Sequence, residues 1–340
     1  ENMGGAMADG YARMSHKVGV VAAQNGPAAT LLVAPLAEAL KASIPIVALV
    51  QDVERHQTDK NAFQDLDQIA LFQSCTKWVR RVNLPERIDD YLDAAFTAAA
   101  SGRPGPVALL LPADLLRETM DGIPSGRRAN LGRWPLDRMR PADGVIEQAA
   151  QWIAGAQAPV VLAGGGVHAS GAAAMLAQLQ ETACVPVATT NMGKGAVDEH
   201  HALSLGVLGA LTGPRALGHQ TKAFIENADL VVLVGTRTNQ NGTDSWRQIP
   251  PTARVIHIDI DPAEIGRTYE ALRLAGDAAE TLAALCRVLE TIDLTHRRSE
   301  RRRLELRIAE CWQRFEAARA DVWNAATSPL RPERIMRELQ

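Results

Sequence analysis

Seven short, continuous apolar runs punctuate the chain: 18-VGVVAAQ-24, 44-IPIVALV-50, 106-PVALLLP-112, 159-PVVLAGGG-166, 185-VPVATT-190, 229-DLVVLVGTR-237 and 254-RVIHIDID-261. Each is rich in Val, Ile and Leu without polar alternation, the pattern of strands buried on both faces. Between them lie Ala/Leu-rich stretches of helical character, such as 28-AATLLVAPLAEALKAS-43, 88-IDDYLDAAFTAAAS-101 and 170-SGAAAMLAQLQETA-183. Strand and helix alternate, which predicts an α/β chain of two three-layer units with parallel sheets. The stretch 121-DGIPSGRRANLGRWPLDRMRP-141 is rich in Gly, Pro and Arg and lacks periodicity. It predicts a linker over 123–141 between a first unit, 1–122, and a second, 142–292. A charged helical linker follows at 293–327, and residues 328–340 read as the opening of a further element.

Composition changes this picture little. Hydrophobic residues make up 46% of 340 and charged residues 22%, enough apolar material for two cores. The formal net charge of −3 points to neither nucleic acid nor an acidic membrane as a partner. Cys75, Cys184, Cys286 and Cys311 form no CxxC pair, so no zinc site or disulfide framework is expected and a reducing cytoplasm fits. No apolar run reaches the roughly 18 residues of a membrane helix, and no signal peptide is expected from the N-terminal sequence. The chain opens at Glu1 without an initiator Met, directly in helical sequence.

Candidate chemistry begins in 1-ENMGGAMADGYARMSHKVGVVAAQNGPAAT-30: a helix, a strand, then a tight Gly26-Pro27 turn into another helix. A turn after a strand in an open parallel sheet lies at the carboxyl edge, where ligands bind. Gly26 allows close approach to backbone, and the next helix offers unpaired N–H groups. A plain structural turn is the competing reading.

The run Glu1-x-x-x-x-Ala6-Met7-Ala8-Asp9-Gly10-Tyr11-Ala12-Arg13 is similar to the segment around the glutamate of thiamine-diphosphate-dependent enzymes of the acetolactate synthase type. Gly26-Pro27-Ala28-Ala29-Thr30, then 62-AFQDLDQIALFQSCTKW-78, then 101-SGRPGPVALLLPAD-114 resemble the family's following motifs, in order and at family spacing. The resemblance implies Glu1 as the catalytic carboxyl that hydrogen-bonds the cofactor's aminopyrimidine ring and favours its basic imino form. It implies Gly26 and Pro27 beside the cofactor, Phe63 and Gln64 on the substrate side, and Arg103 among the cofactor-binding residues. Leu31 departs from the family pattern, where a polar side chain is usual, and this leaves the exact activity open.

In the second unit, Gly164-x-Gly166-x-x-Ala169 formally fits a dinucleotide fingerprint. An NAD reading also wants an acid at the end of the next strand, but that strand ends in Thr189-Thr190. The unit instead resembles the Rossmann-like central domain of the same family, through Pro186 to Gly195, Asp229 to Arg237, His257 to Asp261 and Gly276-Asp277-Ala278. That resemblance implies FAD or another ADP-containing nucleotide held by Gly164, Gly165, Thr189, Thr190, Gly235, Arg237, Asp259 and Asp277. A vestigial fold that binds no nucleotide stands beside it. His200-His201 lack partners at metal spacing and are expected in a loop near the nucleotide edge; no metal ligand is expected in this chain. The arginines at 297–303 alternate with acids, which suggests a solvated helix.

Together these imply decarboxylation of a pyruvate-like 2-oxo acid with carboligation, using thiamine diphosphate and Mg2+, in a homodimer or homotetramer. A simple decarboxylase, a glyoxylate carboligase, a CoA-linked decarboxylase and a non-catalytic nucleotide- or CoA-binding module remain as alternatives. The family's Gly-Asp-Gly…Asn motif for magnesium and diphosphate is missing: Gly-Asp occurs only at 276–277, followed by Ala. The expectation is therefore a chain lacking both family ends, inactive in isolation, because the family's active site needs a diphosphate-binding domain from another subunit.

Overall fold

The computed structural model describes residues 1–119 and 131–339. The linker reading over 123–130 lies outside the described residues. Two compact units divide between Asp137 and Arg138.

The first unit is built from α1 (Asn2–Ser15), β1 (Gly19–Ala23), α2 (Pro27–Leu31), α3 (Val33–Ala42), β2 (Ile46–Asp52), α4 (Gln68–Gln73), β3 (Trp78–Arg81), α5 (Ile88–Ala100) and β4 (Val107–Pro112). Its sheet runs β1-β2-β4-β3, and every pairing is parallel. The central strands β2 and β4 carry Ile46, Val47, Ala48, Val50, Val107, Ala108, Leu109 and Leu110, all buried. Burying one such branched side chain contributes about 1.5–3 kcal/mol, so these two strands anchor the unit. The helical stretch at 28–43 forms as two helices, with Leu32 between them and Pro35 in the first turn of α3. There Pro35 displaces no ladder bond. Residues 131–137 return to this unit: Val18 N–H donates to Gly132 O at 2.8 Å, and buried Trp134 lies against His16, ring centroids 5.1 Å apart.

The second unit contains α6 (Asp143–Gly155), β5 (Pro159–Ala163), α7 (Gly166–Ser170), α8 (Ala173–Thr182), β6 (Val187–Thr189), β7 (Ser204–Val207), α9 (Leu217–Thr221), α10 (Ala223–Glu226), β8 (Leu230–Val234), β9 (Arg254–Asp259), β10 (Leu272–Ala275), α11 (Ala278–Leu289), α12 (Thr295–Trp323) and α13 (Pro332–Leu339). The six strands are all parallel, in the order β10-β9-β8-β5-β6-β7. This is the doubly wound arrangement, with its switch point between β5 and β8, where the chain leaves the two strands in opposite directions. Helices α6, α8 and α11 cover one face, burying Ile146, Ile153, Leu176, Leu179, Leu282 and Leu285. Phe224, Ile225, Leu304 and Ile308 cover the other.

Helix α12 corrects the solvated-helix reading at its first turn. Arg297 is fully buried. Its guanidinium donates to Cys184 O at 2.9 Å, Ala183 O at 3.3 Å and Ala156 O at 3.4 Å. Ala156 and Ala183 are the residues at which α6 and α8 end. One cation thus serves carbonyls at two helix C-termini, which lack intrahelical partners and carry partial negative charge. Along the rest of α12 several arginines pair with local acids, as in Arg301–Glu305 at 2.8 Å and Arg303–Glu300, while Leu304, Ile308 and Cys311 are buried.

The His200-His201 pair also lies elsewhere than expected. His201 Nε2 is 2.5 Å from Glu181 Oε1, and its carbonyl accepts from Ser204 N–H at the start of β7. That is the amino edge of the sheet, opposite the edge expected for a nucleotide. Arg301 and then His201 hold the Glu181 carboxyl down to about 2.

Arg297→Met keeps the apolar volume and removes every donor. Leaving the carbonyls of Ala183 and Cys184 buried without partners should lower stability by about 2–4 kcal/mol, read as a lower urea midpoint at unchanged m-value.

Candidate functional site

Two groups of residues gather at the carboxyl edges of the two sheets, one in each unit.

In the first unit, α1 runs antiparallel to β1 and packs on it. A Cβ on Gly4 would sit 3.4 Å from Val21 Cγ2, and one on Gly5 would sit 2.5 Å from Pro35 Cγ. The N-terminal end of α1 therefore lies at the level where β1 ends, and Glu1, at the N-cap position, stands at the carboxyl edge. Its side chain is exposed and caps nothing, while its carbonyl accepts from Gly5 N–H at 2.8 Å.

Past β1 the chain turns through Asn25, Gly26 and Pro27. Gly26 has φ +62°, and a Cβ there would fall 2.6 Å from Gln64 O, so both backbone shape and space require glycine. Buried Asn25 fixes the turn to the loop before α4: its Nδ2 donates to Phe63 O at 3.4 Å and Gln64 O at 3.3 Å. Gln64 is held at φ +60°, and its Oε1 is buried with no hydrogen-bond partner among the described residues. Phe63 is 83% exposed, which removes core packing as the reason for its presence. Glu1, Gly26, Pro27, Phe63 and Gln64 thus share one sheet edge. Arg103 does not join them. It precedes β4 at the amino edge, where Nε donates to Ser43 Oγ at 2.9 Å and Nη2 to Leu40 O at 3.0 Å, closing the C-terminal end of α3. Leu31 is half exposed at the end of α2.

Asp52 is an addition that no local pattern announced. It ends β2, is buried, pairs with Arg81 at 2.8 Å and accepts from Gln68 Nε2 at 2.9 Å. Burial pushes its carboxyl above the usual carboxylate range against the opposing pull of Arg81. With Asn25 it holds the loop that carries Phe63 and Gln64 near the strand ends.

In the second unit, Gly164–Gly166 follow β5, Thr189 ends β6 and Thr190 follows it, Gly235–Arg237 follow β8, Asp259 ends β9 and Asp277 follows β10. All are at the carboxyl edge. The glycines meet one another rather than open a cradle. A Cβ on Gly166 would lie 2.6 Å from Gly235 Cα, and one on Gly164 would lie 2.8 Å from Thr236 Cα. Gly164 N–H donates to Val234 O at 2.8 Å and Gly166 N–H to Gly235 O at 2.9 Å. Those two N–H groups are engaged with the neighbouring loop. Asp277 is engaged too: buried, it accepts from Arg138 Nη1 at 2.9 Å, from Ser170 Oγ at 2.8 Å and, as N-cap of α11, from Glu280 N–H at 3.1 Å. Thr189 Oγ1 is buried with no partner among the described residues, Arg237 is half buried, and Asp259 accepts from Asp261 N–H at 2.9 Å. Among the described residues no cluster of three or more His, Cys, Asp or Glu could hold a metal ion, and no helix is long and apolar enough to cross a membrane.

Beside the switch point, His257 of β9 is buried, its Nε2 2.9 Å from Thr236 O. A carbonyl partner requires that nitrogen to donate. Burial lowers the imidazole pKa to about 4 despite this bond.

Comparison with known proteins agrees with this architecture. Residues 1–71 match the thiamine pyrophosphate enzyme N-terminal TPP binding domain, and residues 146–285 match the thiamine pyrophosphate enzyme central domain. The chain belongs to the thiamine pyrophosphate enzyme family. It is similar to a probable acetolactate synthase large subunit of Methanocaldococcus jannaschii, 36% identical over 343 residues, covering 98% of this chain and 54% of that protein. An acetolactate synthase of Arthrospira platensis is 39% identical over 278 residues, 81% of this chain and 47% of that protein. A probable acetolactate synthase large subunit of Methanococcus aeolicus is 34% identical, covering 98% of this chain and 55% of that protein. The chain spans about half the length of the curated relatives it matches.

His257 has a depressed folded-state pKa, so its contribution is fully present above the unfolded value of about 6.5 and is lost as pH falls toward 4. Wild type should lose about 3 kcal/mol through this group across that window. His257→Gln, which keeps a donor and cannot titrate, should show a flatter pH–stability curve by urea unfolding.

Proposed function

We propose that the protein of which this chain forms part catalyses thiamine-diphosphate-dependent decarboxylation of a pyruvate-like 2-oxo acid with carboligation, as its acetolactate synthase relatives are named for. The observation that supports this most is the meeting of Glu1, the Gly26-Pro27 turn and the Phe63-Gln64 loop at one sheet edge. The buried, unpartnered Gln64 Oε1 fits a site shaped for a polar ligand. When bound, thiamine diphosphate supplies a carbon nucleophile and the electron sink for the departing carboxylate. Glu1 would hold a proton between its carboxyl and the cofactor's aminopyrimidine ring. Gly26 and Pro27 would border the cofactor with bare backbone, and Phe63 would exclude water on the substrate side. Arg103 is given no role in this reading, because it closes α3 at the other edge. By the family resemblance, Mg2+ and the diphosphate would be held by the Gly-Asp-Gly…Asn motif of a diphosphate-binding domain, a motif that does not occur in this sequence.

We further propose, from the family resemblance, a homodimeric or homotetrameric, cytoplasmic enzyme of branched-chain amino acid biosynthesis. Within the family, a 2-oxo acid decarboxylase is the rival that Leu31 keeps open, because an apolar side chain stands where the family pattern has a polar one. For the second unit we infer a bound FAD or other ADP-containing nucleotide at the switch point, supported by strand order, by Arg237 beside it and by the unpartnered Thr189 hydroxyl. Asp277 is committed to Arg138, Ser170 and the α11 cap.

In the longer protein, Glu1→Gln should lower kcat for acetolactate formation from pyruvate by about 10²-fold or more, with KM little changed. Unchanged turnover would remove Glu1 from the mechanism. Acetaldehyde in place of acetolactate as the product would favour the decarboxylase.

A further inference from the structure

The loop that leaves β8 after Arg237 is the most strained segment of the second unit. Three successive non-glycine residues, Asp244, Ser245 and Trp246, hold φ at +47°, +55° and +62°, and Thr238 holds +48°. Each is a left-handed conformation that costs energy for a residue with a Cβ. Strain of this kind persists where the surroundings over-determine it, and it gathers at binding sites. The surroundings do so here. Ser245 N–H donates to Gln240 O at 2.7 Å and Gln248 N–H to Thr243 O at 3.2 Å. Trp246 N–H donates to the hydroxyl of fully buried Thr243 at 3.2 Å.

What this scaffold presents is an indole. The ring N–H of Trp246 donates to Thr238 O at 2.9 Å, which fixes one edge of the ring. The residue nevertheless remains 49% exposed. The loop carrying it bridges the carboxyl edge. At Gly242 it lies against the end of β6, where a Cβ would be 3.2 Å from Thr190 Cγ2. At Thr238 it reaches Thr268, beyond β9, through a 3.0 Å hydroxyl–hydroxyl bond. The segment therefore spans the switch point between β5 and β8. A residue needed only to fill this turn would be glycine, which suits φ +62°. A large, anchored, half-exposed aromatic there has a different use.

We propose that Trp246 is a stacking platform for the planar heteroaromatic ring of a nucleotide, flavin or adenine, bound at the carboxyl edge of the second unit. This rests on the nucleotide reading of that unit and adds the residue that recognises the ring. Stacking on a fixed indole favours any flat π system, whereas the loop's backbone hydrogen bonds leave the ligand's phosphates to other groups. Trp246→Gly relieves the left-handed backbone and removes the ring, so the variant folds with an unchanged or higher thermal midpoint. Trp246→Phe keeps a ring without the anchor.

The test titrates the 340-residue chain with FAD, with ADP and with inorganic pyrophosphate by calorimetry. Wild type should bind at least one ring-bearing probe: FAD bound at least tenfold more tightly than ADP assigns the stacked ring to the flavin, whereas ADP bound as tightly as FAD, which also carries adenine, assigns it to adenine. Trp246→Gly should weaken that probe at least tenfold, Trp246→Phe by less than about threefold, and pyrophosphate affinity should be the same in all three. FAD or ADP binding to Trp246→Gly within twofold of wild type would overturn the platform and leave the nucleotide reading standing. Wild type that takes up neither FAD nor ADP would overturn both. Quenching on FAD addition gives a second readout, since Trp246 is one of six tryptophans: the quenched share of emission should fall in Trp246→Phe, and an unchanged share would count against the platform.

Discussion

Parallel strand pairing is the constraint on which the rest of this protein depends. Every named strand in both sheets hydrogen-bonds to neighbours running the same way, so each chain segment leaving a strand emerges at one edge and must cross back before pairing again. The crossovers put helices on the faces, which bury the sheet on both sides and free its carboxyl edge from packing. Polar residues can then collect at that edge without disturbing a core. Glu1, Asn25 and Gln64 do so in one unit, and Thr189, Arg237 and Asp259 in the other, although tens of residues separate them in sequence.

The same geometry decides how much was legible in sequence. The seven apolar runs all contain strands, because β2, β4, β5, β6, β8 and β9 are flanked on both sides and β1, at an edge, still carries apolar side chains. The strands that the runs did not announce are β3, β7 and β10, and each lies at a sheet edge. There a strand has one neighbour and need not be continuously apolar, so Trp78-Val79-Arg80-Arg81 and Leu272-Arg273-Leu274-Ala275 read as ordinary mixed sequence. The candidate catalytic edge was legible only through resemblance, since its turn alone fits any strand-to-helix connection. Asn25, Asp52 and Trp246 were not legible, because what singles them out is a partner or a backbone angle set by distant residues.

Charge placement follows a similar rule. Arg297 belongs by composition to a run of exposed basic residues, and Arg103 by motif to a ligand site. Each instead serves carbonyls or hydroxyls at helix C-termini, where the backbone offers acceptors that nothing local satisfies. Arginine suits both places, since its fork can reach several acceptors at once and it stays charged when buried.

The contact between Gly164, Gly166 and Gly235 has a bearing on how such chains are recognised. These glycines are held in place by the neighbouring loop, which leaves no room for a side chain whether or not a nucleotide is present. A lineage that gave up the nucleotide would still be compelled to keep them. The Gly-x-Gly signature is in that sense a fossil of backbone crowding, and it would outlive the ligand it is read as announcing. On the stacking proposal, Trp246 has no such compulsion, and drift at that position would record the loss.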